Sequence, residues 1–148
     1  MDCEPCRYLK DNNRLLFETK YWKVFVIDEQ AFLGRTAVIL KRHCHSLPEL
    51  TEPEWQEFKE VVSKLEQAVK QAFGMEVANW ACLMNHAFRT NIANPHVHWH
   101  LRPRYRHPVE FAGKTFTDPD FGEMYTDRHE KVDDEILLKI TEALKANL

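Results

Sequence analysis

The segment His96-Val97-His98-Trp99-His100-Leu101-Arg102 alternates a titratable ring with an apolar side chain. Successive side chains of an extended strand point to opposite faces, so His96, His98 and His100 are expected on one face and Val97, Trp99 and Leu101 on the other. Same-face neighbours stand about 7 Å apart, too far for ring-to-ring bonding but close enough to flank one phosphate. Imidazole titrates at about 6.5, so near neutral pH one ring can be a nucleophile while another supplies a proton. Three uses compete for such a run: buried structural histidines, a zinc cluster on the strand, and nucleophilic catalysis on phosphorus. A single histidine of this kind is most often structural, whereas three in register beside Arg102 and Arg104 favour chemistry on phosphorus.

A second set of chemically capable residues opens the chain. Cys3 and Cys6 form a CxxC pair, whose spacing lets both sulfurs reach one metal ion, and zinc favours four such ligands in a closed structural site. Two free thiols are the plainer reading, and a redox pair lacks the βαβ pattern it would need. Cys44 and Cys82 lie in apolar or strand-like surroundings and read as core thiols.

These residues need elements to position them. Arg14–Glu18 and Tyr21–Ile27 are rich in β-branched and aromatic residues and are split by Thr19-Lys20, which predicts a hairpin. Thr36–Leu40 predicts a third strand, with His43 just beyond it. Thr51-Glu52-Pro53-Glu54 is a capping box, and Trp55, Phe58, Val62, Leu65, Val69 and Phe73 recur at helical spacing until Gly74. Val77–Met84 predicts a fourth strand, the polar loop 85–94 follows, and Pro95–Pro103 contains the fifth. Gly113, Asp118-Pro119 and Gly122 predict an irregular wrap over 108–131, after which Asp133 caps a final helix with Ile136, Leu137, Ile140 and Leu144 on one face. Few strands have the spacing for helix crossovers, so the expected fold is α+β: an antiparallel five-stranded sheet, one long central helix and a C-terminal helix.

Composition narrows the partners. The chain has 148 residues and a net charge of -3, which argues against gripping long nucleic acid through a broad basic surface. Arg102, Arg104, Arg106 and His107 still allow a local cationic pocket, although residues of this kind are more often a solvated loop. No apolar run approaches the roughly 20 residues of a spanning helix, so no membrane partner is expected. The opening residues lack the basic and apolar regions of a secretory signal, which predicts a cytoplasmic protein.

The alternating histidines from His96 to Arg102 resemble the histidine triad family, and Asn94-Pro95-His96-Val97-His98 also resembles its galactose-1-phosphate uridylyltransferase branch. Leu40-Lys41-Arg42-His43 and Ser46–Leu50 are similar to the family's strand end and the turn before its long helix, so the resemblance runs from Cys3 to about Tyr105. It implies one domain over 1–148, with a zinc-knuckle leader at 1–10 and a C-terminal wrap and helix at 106–148. It also implies a nucleotide hydrolase or nucleotidyltransferase in which His98 attacks the α-phosphate to form a nucleotidyl-histidine. His100 would bind phosphate oxygens or assist the leaving group, the Asn85 amide would hold the same phosphate, and Asp28 resembles the ribose-binding acid, though a strand-end turn aspartate explains it as well. Where many members carry Gly-Gln and a hydroxyl residue, this chain has Asn91-Ile92-Ala93, leaving Arg89, Thr90 or Asn94 as candidate donors to the leaving phosphate.

Zinc-bearing members of the family imply a structural Zn²⁺ on Cys3, Cys6, His43 and His96, with His45 a rival to His43. The implied substrates are adenine nucleotides such as dinucleoside polyphosphates, and the implied assembly is a homodimer, for which Trp55, Trp80 and Trp99 are candidate surfaces if they are not core. Two further readings stay open: a non-catalytic nucleotide-binding adaptor stabilised by zinc, and a metallohydrolase with its metal on the triad.

Overall fold

The computed structural model describes residues 3–148. Its elements in chain order are α1 (Glu4–Tyr8), β1 (Leu15–Glu18), β2 (Trp22–Val26), β3 (Thr36–Leu40), α2 (Glu52–Phe73), β4 (Val77–Ala81), β5 (His98–Arg104), β6 (Val109–Phe111), β7 (Lys114–Phe116) and α3 (Asp134–Lys145). The first five strands form one antiparallel sheet in the order β1-β2-β3-β5-β4. This is the expected α+β fold, with its long helix and its C-terminal helix in place.

The two faces of the sheet differ. Val24, Val38, Leu40 and Leu101 join Phe58, Val61, Leu65, Val69 and Phe73 of α2 in the main core. Helix α3 adds Leu137, Ile140 and Leu144 to that core and packs against α2 and β1. On the opposite face Phe25, Ala37 and Ile39 form a smaller cluster with Tyr8 and Leu9 of the leader. Directly opposed residues on neighbouring strands share a face, and the pairs Phe25↔Ala37, Ala37↔His100 and Ile39↔His98 therefore put both histidines on the side away from α2. All five residues of β3 are buried because it is covered on both faces.

Three boundaries differ from the sequence reading. Strand β4 stops at Ala81 instead of Met84, because its one partner is β5 and Ala81 already pairs with His100, two residues from the start of β5. Strand β5 starts at His98, so His96 precedes the regular strand and Val97 is held by Cys44 through a 2.8 Å backbone bond. The segment 108–131 contains the β6–β7 hairpin, whose turn residues Ala112 and Gly113 both take positive φ (51° and 76°). Gly113 thus makes a tight two-residue turn within an element, and three-residue strands are too short to show alternation.

Glu54 ties the start of α2 to the segment that carries His43. Its carboxylate accepts hydrogen bonds from Arg42 Nε at 2.6 Å, Arg42 Nη2 at 2.8 Å and the backbone N–H of Thr51 at 2.8 Å. The Arg42 bonds, opposed by burial and aided by Thr51, hold its carboxyl down at about 2. A depressed carboxyl stabilises the fold fully above its ordinary value of 4.5 and loses that contribution as pH falls through about 2. Replacement Glu54→Gln is expected to cost about 2–3 kcal/mol at neutral pH, discounted for the half-exposed Arg42. In urea unfolding of both proteins the difference should close between pH 4.5 and about 2; a gap independent of pH would remove the charge from this account.

Candidate active site and metal centre

The leader and the approach to β5 meet at four side chains. Cys3 caps α1, with its Sγ accepting from the Cys6 backbone N–H at 3.3 Å, so one short turn points both sulfurs the same way. Each Sγ lies 3.3 Å from His96 Nδ1, and they lie 3.6 Å (Cys3) and 3.4 Å (Cys6) from His43 Nδ1. All four ligand atoms fall within 4.8 Å of one another. A tetrahedral zinc with Zn–S of about 2.3 Å and Zn–N of about 2.05 Å requires S···N edges of about 3.5 Å, which these distances match.

The tautomers fit as well. His96 Nε2 donates to the Leu40 carbonyl at 2.8 Å, and His43 Nε2 donates to Asn94 Oδ1 at 2.9 Å. An oxygen of either kind can only accept, so each ring keeps a lone pair on the Nδ1 that faces the thiols. Burial pulls His96 down to about 4, which keeps it a neutral ligand, and burial with the Cys6 side chain pushes the Cys3 thiol up to about 11, so metal binding there must expel a proton. His45 is not in this cluster; it is exposed and its ring lies 4.8 Å from that of His43.

Beyond this cluster, His98 and His100 stand with their rings 5.0 Å apart, edge to face. The N–H on His98 Nδ1 donates to the His96 carbonyl at 2.7 Å, which leaves the lone pair on Nε2. Burial lowers the His98 pKa against the opposing bond to His96, and burial, then the charges of His98, Arg35 and Arg102, takes His100 down to about 2. Both rings are neutral near pH 7. Ala37 and Ala81 are the cross-strand neighbours of His100 on either side, so no bulky side chain from β3 or β4 stands directly beside it.

The remaining sequence candidates are distributed around this centre. Asn85 opens a turn over Asn85–Phe88 and is exposed, and its amide makes no hydrogen bond among the described residues. Arg89 and Thr90 are exposed on the same loop, with Thr90 Oγ1 donating to the Ile92 carbonyl at 3.0 Å. Asn94 Oδ1 accepts from His43 Nε2, while its Nδ2 is buried and has no hydrogen-bond partner among the described residues. Asp28 sits at the end of β2 with Lys131 Nζ at 3.1 Å and Arg14 Nη1 at 3.4 Å. Burial pushes the Asp28 carboxyl up, but these two cations outweigh it and leave it below the usual range.

Three neighbours of the histidines were not identified from sequence. His86 and Glu4 approach each other at 3.9 Å and both act on His98 electrostatically, while Arg35, just ahead of β3, acts on His100. Adjacency to Asn85 was the one available signal for His86. The supposed solvated loop of basic residues is half corrected: Arg102 and Arg104 are 5% and 4% exposed, because the wrap lies over them. The tryptophans gather round Phe58, with Trp99 stacked on it at 5.0 Å and Trp80 edge-on at 5.9 Å, leaving only Trp55 appreciably exposed.

Residues 10–107 match the HIT domain, the histidine triad family, and the chain belongs to that family, which includes nucleotide hydrolases and transferases. The fold is similar to a hypothetical histidine triad nucleotide-binding protein from Sulfolobus tokodaii (TM-score 0.70, 18% identity, covering 98% of this chain and 91% of that one). It is also similar to a Zn-bound histidine triad family protein from Mycobacterium smegmatis (TM-score 0.64, 18% identity, 99% and 95% covered). A uridylyltransferase matches at TM-score 0.62 and 24% identity, over 99% of this chain and 46% of that one. At such identities the likeness shows the fold alone. No curated protein sequence matches the chain.

If the four residues are the ligands, His43→Ala or Cys6→Ser should abolish stoichiometric zinc in native mass spectrometry, while His45→Ala keeps it. Asn94→Ala is expected to retain the ion but weaken affinity by about 10–100-fold in a chelator competition. Retention of zinc by His43→Ala together with its loss from His45→Ala would reverse the assignment.

Proposed function

We propose that this chain is a nucleotide hydrolase or nucleotidyltransferase that works through a covalent nucleotidyl-His98. The observation that carries the reading is the bond from His98 Nδ1 to the His96 carbonyl, which leaves a neutral ring with its Nε2 lone pair available. Nε2 attacks the α-phosphorus, the P–O bond to the leaving group breaks, and that electron pair departs on the leaving oxygen. The positive charge that develops on the ring is shared through Nδ1–H with the His96 carbonyl. Water then attacks the same phosphorus, releases a proton to solvent and returns neutral His98 with a nucleoside monophosphate; a different acceptor in place of water makes the reaction a transfer.

His100, kept neutral, contributes an N–H to a phosphate oxygen and holds no spare proton for the leaving group. This favours leaving groups that depart as stable anions, so phosphoanhydrides are preferred over phosphoramidates, and dinucleoside polyphosphates fit the preference. Asn85, Arg89 and Thr90 are proposed as donors brought in from the 85–90 loop on substrate binding, and Asp28 as the ribose partner once its bonds to Arg14 and Lys131 yield.

The metal is read as structural Zn²⁺ on Cys3, Cys6, His43 and His96, where it would fasten the leader beside the catalytic strand without entering the reaction. Reduced thiol ligands suit a cytoplasmic setting. No helix among the described residues is long and apolar enough to cross a membrane. We further propose that 1–148 acts as one domain and pairs as a homodimer, for which the open edge of β4 and the exposed Val77 offer a surface.

Incubating the zinc-loaded protein with a panel of nucleotides, followed by acid-free quenching and intact mass, should reveal a nucleotidyl adduct that maps to His98. His98→Ala should lower turnover by at least about 10⁴-fold while retaining nucleotide binding. Unchanged turnover in that variant would leave the adaptor reading, and immediate loss on chelation without unfolding would favour the metallohydrolase.

A further inference from the structure

Two buried arginines lie on the histidine face without full compensation. Arg102 follows His100 by two residues on β5, and the pairs Ala37↔His100 and Thr36↔Leu101, continued by one step, set Arg35 opposite Arg102. Arg35 is 6% exposed and Arg102 5%. Among the described residues Nε of both, and Nη1 of Arg102, have no hydrogen-bond partner. Arg35 Nη1 meets Glu29 at 3.2 Å, a carboxylate that also serves His129 at 3.0 Å. The nearest carboxylate to Arg102 is Asp127, 3.9 Å away and 65% exposed, and the face of Tyr125 covers the guanidinium at 4.9 Å.

The next residue on that face shows what full compensation looks like. Arg104 forms two bonds to the buried Asp118, with further bonds to Asn79 Oδ1 and to the Asp120 and Glu123 carbonyls. A buried guanidinium lacking such partners is costly, and two facing each other are costlier. Burial, and next the Arg102 charge, duly pulls Arg35 below its ordinary pKa.

We propose that Arg35 and Arg102 form an anion site beside His100 that receives a second phosphoryl group of the substrate, distinct from the one attacked at His98. The site rests on its own geometry; that its ligand is part of a nucleotide rests on the function proposed above. Guanidinium forks match phosphate oxygens in pairs, and the unpartnered donors of Arg102 are of this kind. Arg102 lies four positions beyond His98 on β5, about 13 Å along the strand, a span that long arginine side chains shorten to the reach of a substrate carrying two separated phosphates. That second phosphate has two chemical sources: a position further along a polyphosphate chain, or a substituent on the ribose.

The test uses zinc-loaded full-length protein, titrated calorimetrically with inorganic pyrophosphate, a nucleoside monophosphate, a dinucleoside tetraphosphate and a 2′-phosphorylated nucleoside monophosphate. Arg102→Gln and Arg35→Gln should each weaken pyrophosphate by about tenfold or more while leaving the monophosphate within about threefold. Of the two larger ligands, the one that loses its advantage over the monophosphate identifies the source. The melting temperature of each variant without ligand should be unchanged or higher, because an uncompensated buried charge has been removed. Should a variant fail to fold, the arginine Nε–H NMR signals of the unaltered protein give the same answer: pyrophosphate should shift those of Arg35 and Arg102. Wild-type pyrophosphate affinity in both variants, or no such shift in the unaltered protein, overturns the proposal. Arginine-dependent pyrophosphate binding with no nucleotidyl adduct from any nucleotide would keep the anion site and sink the nucleotide reading instead.

Discussion

The bond from His96 Nε2 to the Leu40 carbonyl, 2.8 Å long and buried, joins the end of β3 to the start of β5 and sets the state of everything around it. Because a carbonyl can only accept, the proton on that ring is committed to Nε2, and Nδ1 is left to face the two cysteines. The backbone carbonyl of the same residue accepts from His98 Nδ1 and so commits the second ring in the opposite sense, with its lone pair on Nε2. One residue therefore links the cysteine–histidine cluster to the His98 ring, through its side chain in one direction and its main chain in the other.

Such assignments persist only where water cannot compete for the same atoms. The sheet supplies that dryness by unequal covering. Helices α2 and α3 bury one face in the main core, while the leader, a small apolar cluster and the wrap partly cover the other. A histidine on the second face is therefore desolvated, which explains how burial keeps both rings neutral. Helix α1 is too short to fold alone, and it is placed by Cys3 and Cys6 meeting His43 and His96 and by Tyr8 and Leu9 packing on Phe25, Ala37 and Ile39.

Most of this arrangement was legible in the chain because it rests on short-range patterns. The capping box at Thr51, the helical period to Phe73 and the alternation around His98 each specify an element without knowledge of the rest. The division of the histidine run, with His96 going to the thiols, followed from the resemblance to zinc-bearing members of the family together with the CxxC pair. What escaped reading depended on partners distant in sequence. The bond from His43 to the Asn94 oxygen joins residues far apart in sequence, and Arg35 carried no signal because only pairing of β3 with β5 brings it to Arg102. The β6–β7 hairpin was hidden because its strands are too short to alternate and its turn glycine resembles a loop breaker.

The histidine face is graded along β5, and the grading follows from which neighbours each position finds. At the start His98 meets a backbone carbonyl, in the middle His100 lies between alanines with no partner for its Nδ1 among the described residues, and at the far end Arg104 is answered by Asp118, Asn79, Asp120 and Glu123. Arg102 lies between the last two and is answered only in part. The wrap that supplies Asp118, Asp120 and Glu123 to Arg104 also supplies Asp127, which stays exposed and meets Arg102 only at 3.9 Å. A fold that completes one arginine and leaves its neighbour with free donors facing a neutral histidine has accepted a stability cost in one place, and such costs concentrate where a ligand offsets them. An anionic ligand would do so twice, by answering the guanidinium and by easing the positive potential that Arg35 and Arg102 place on His100.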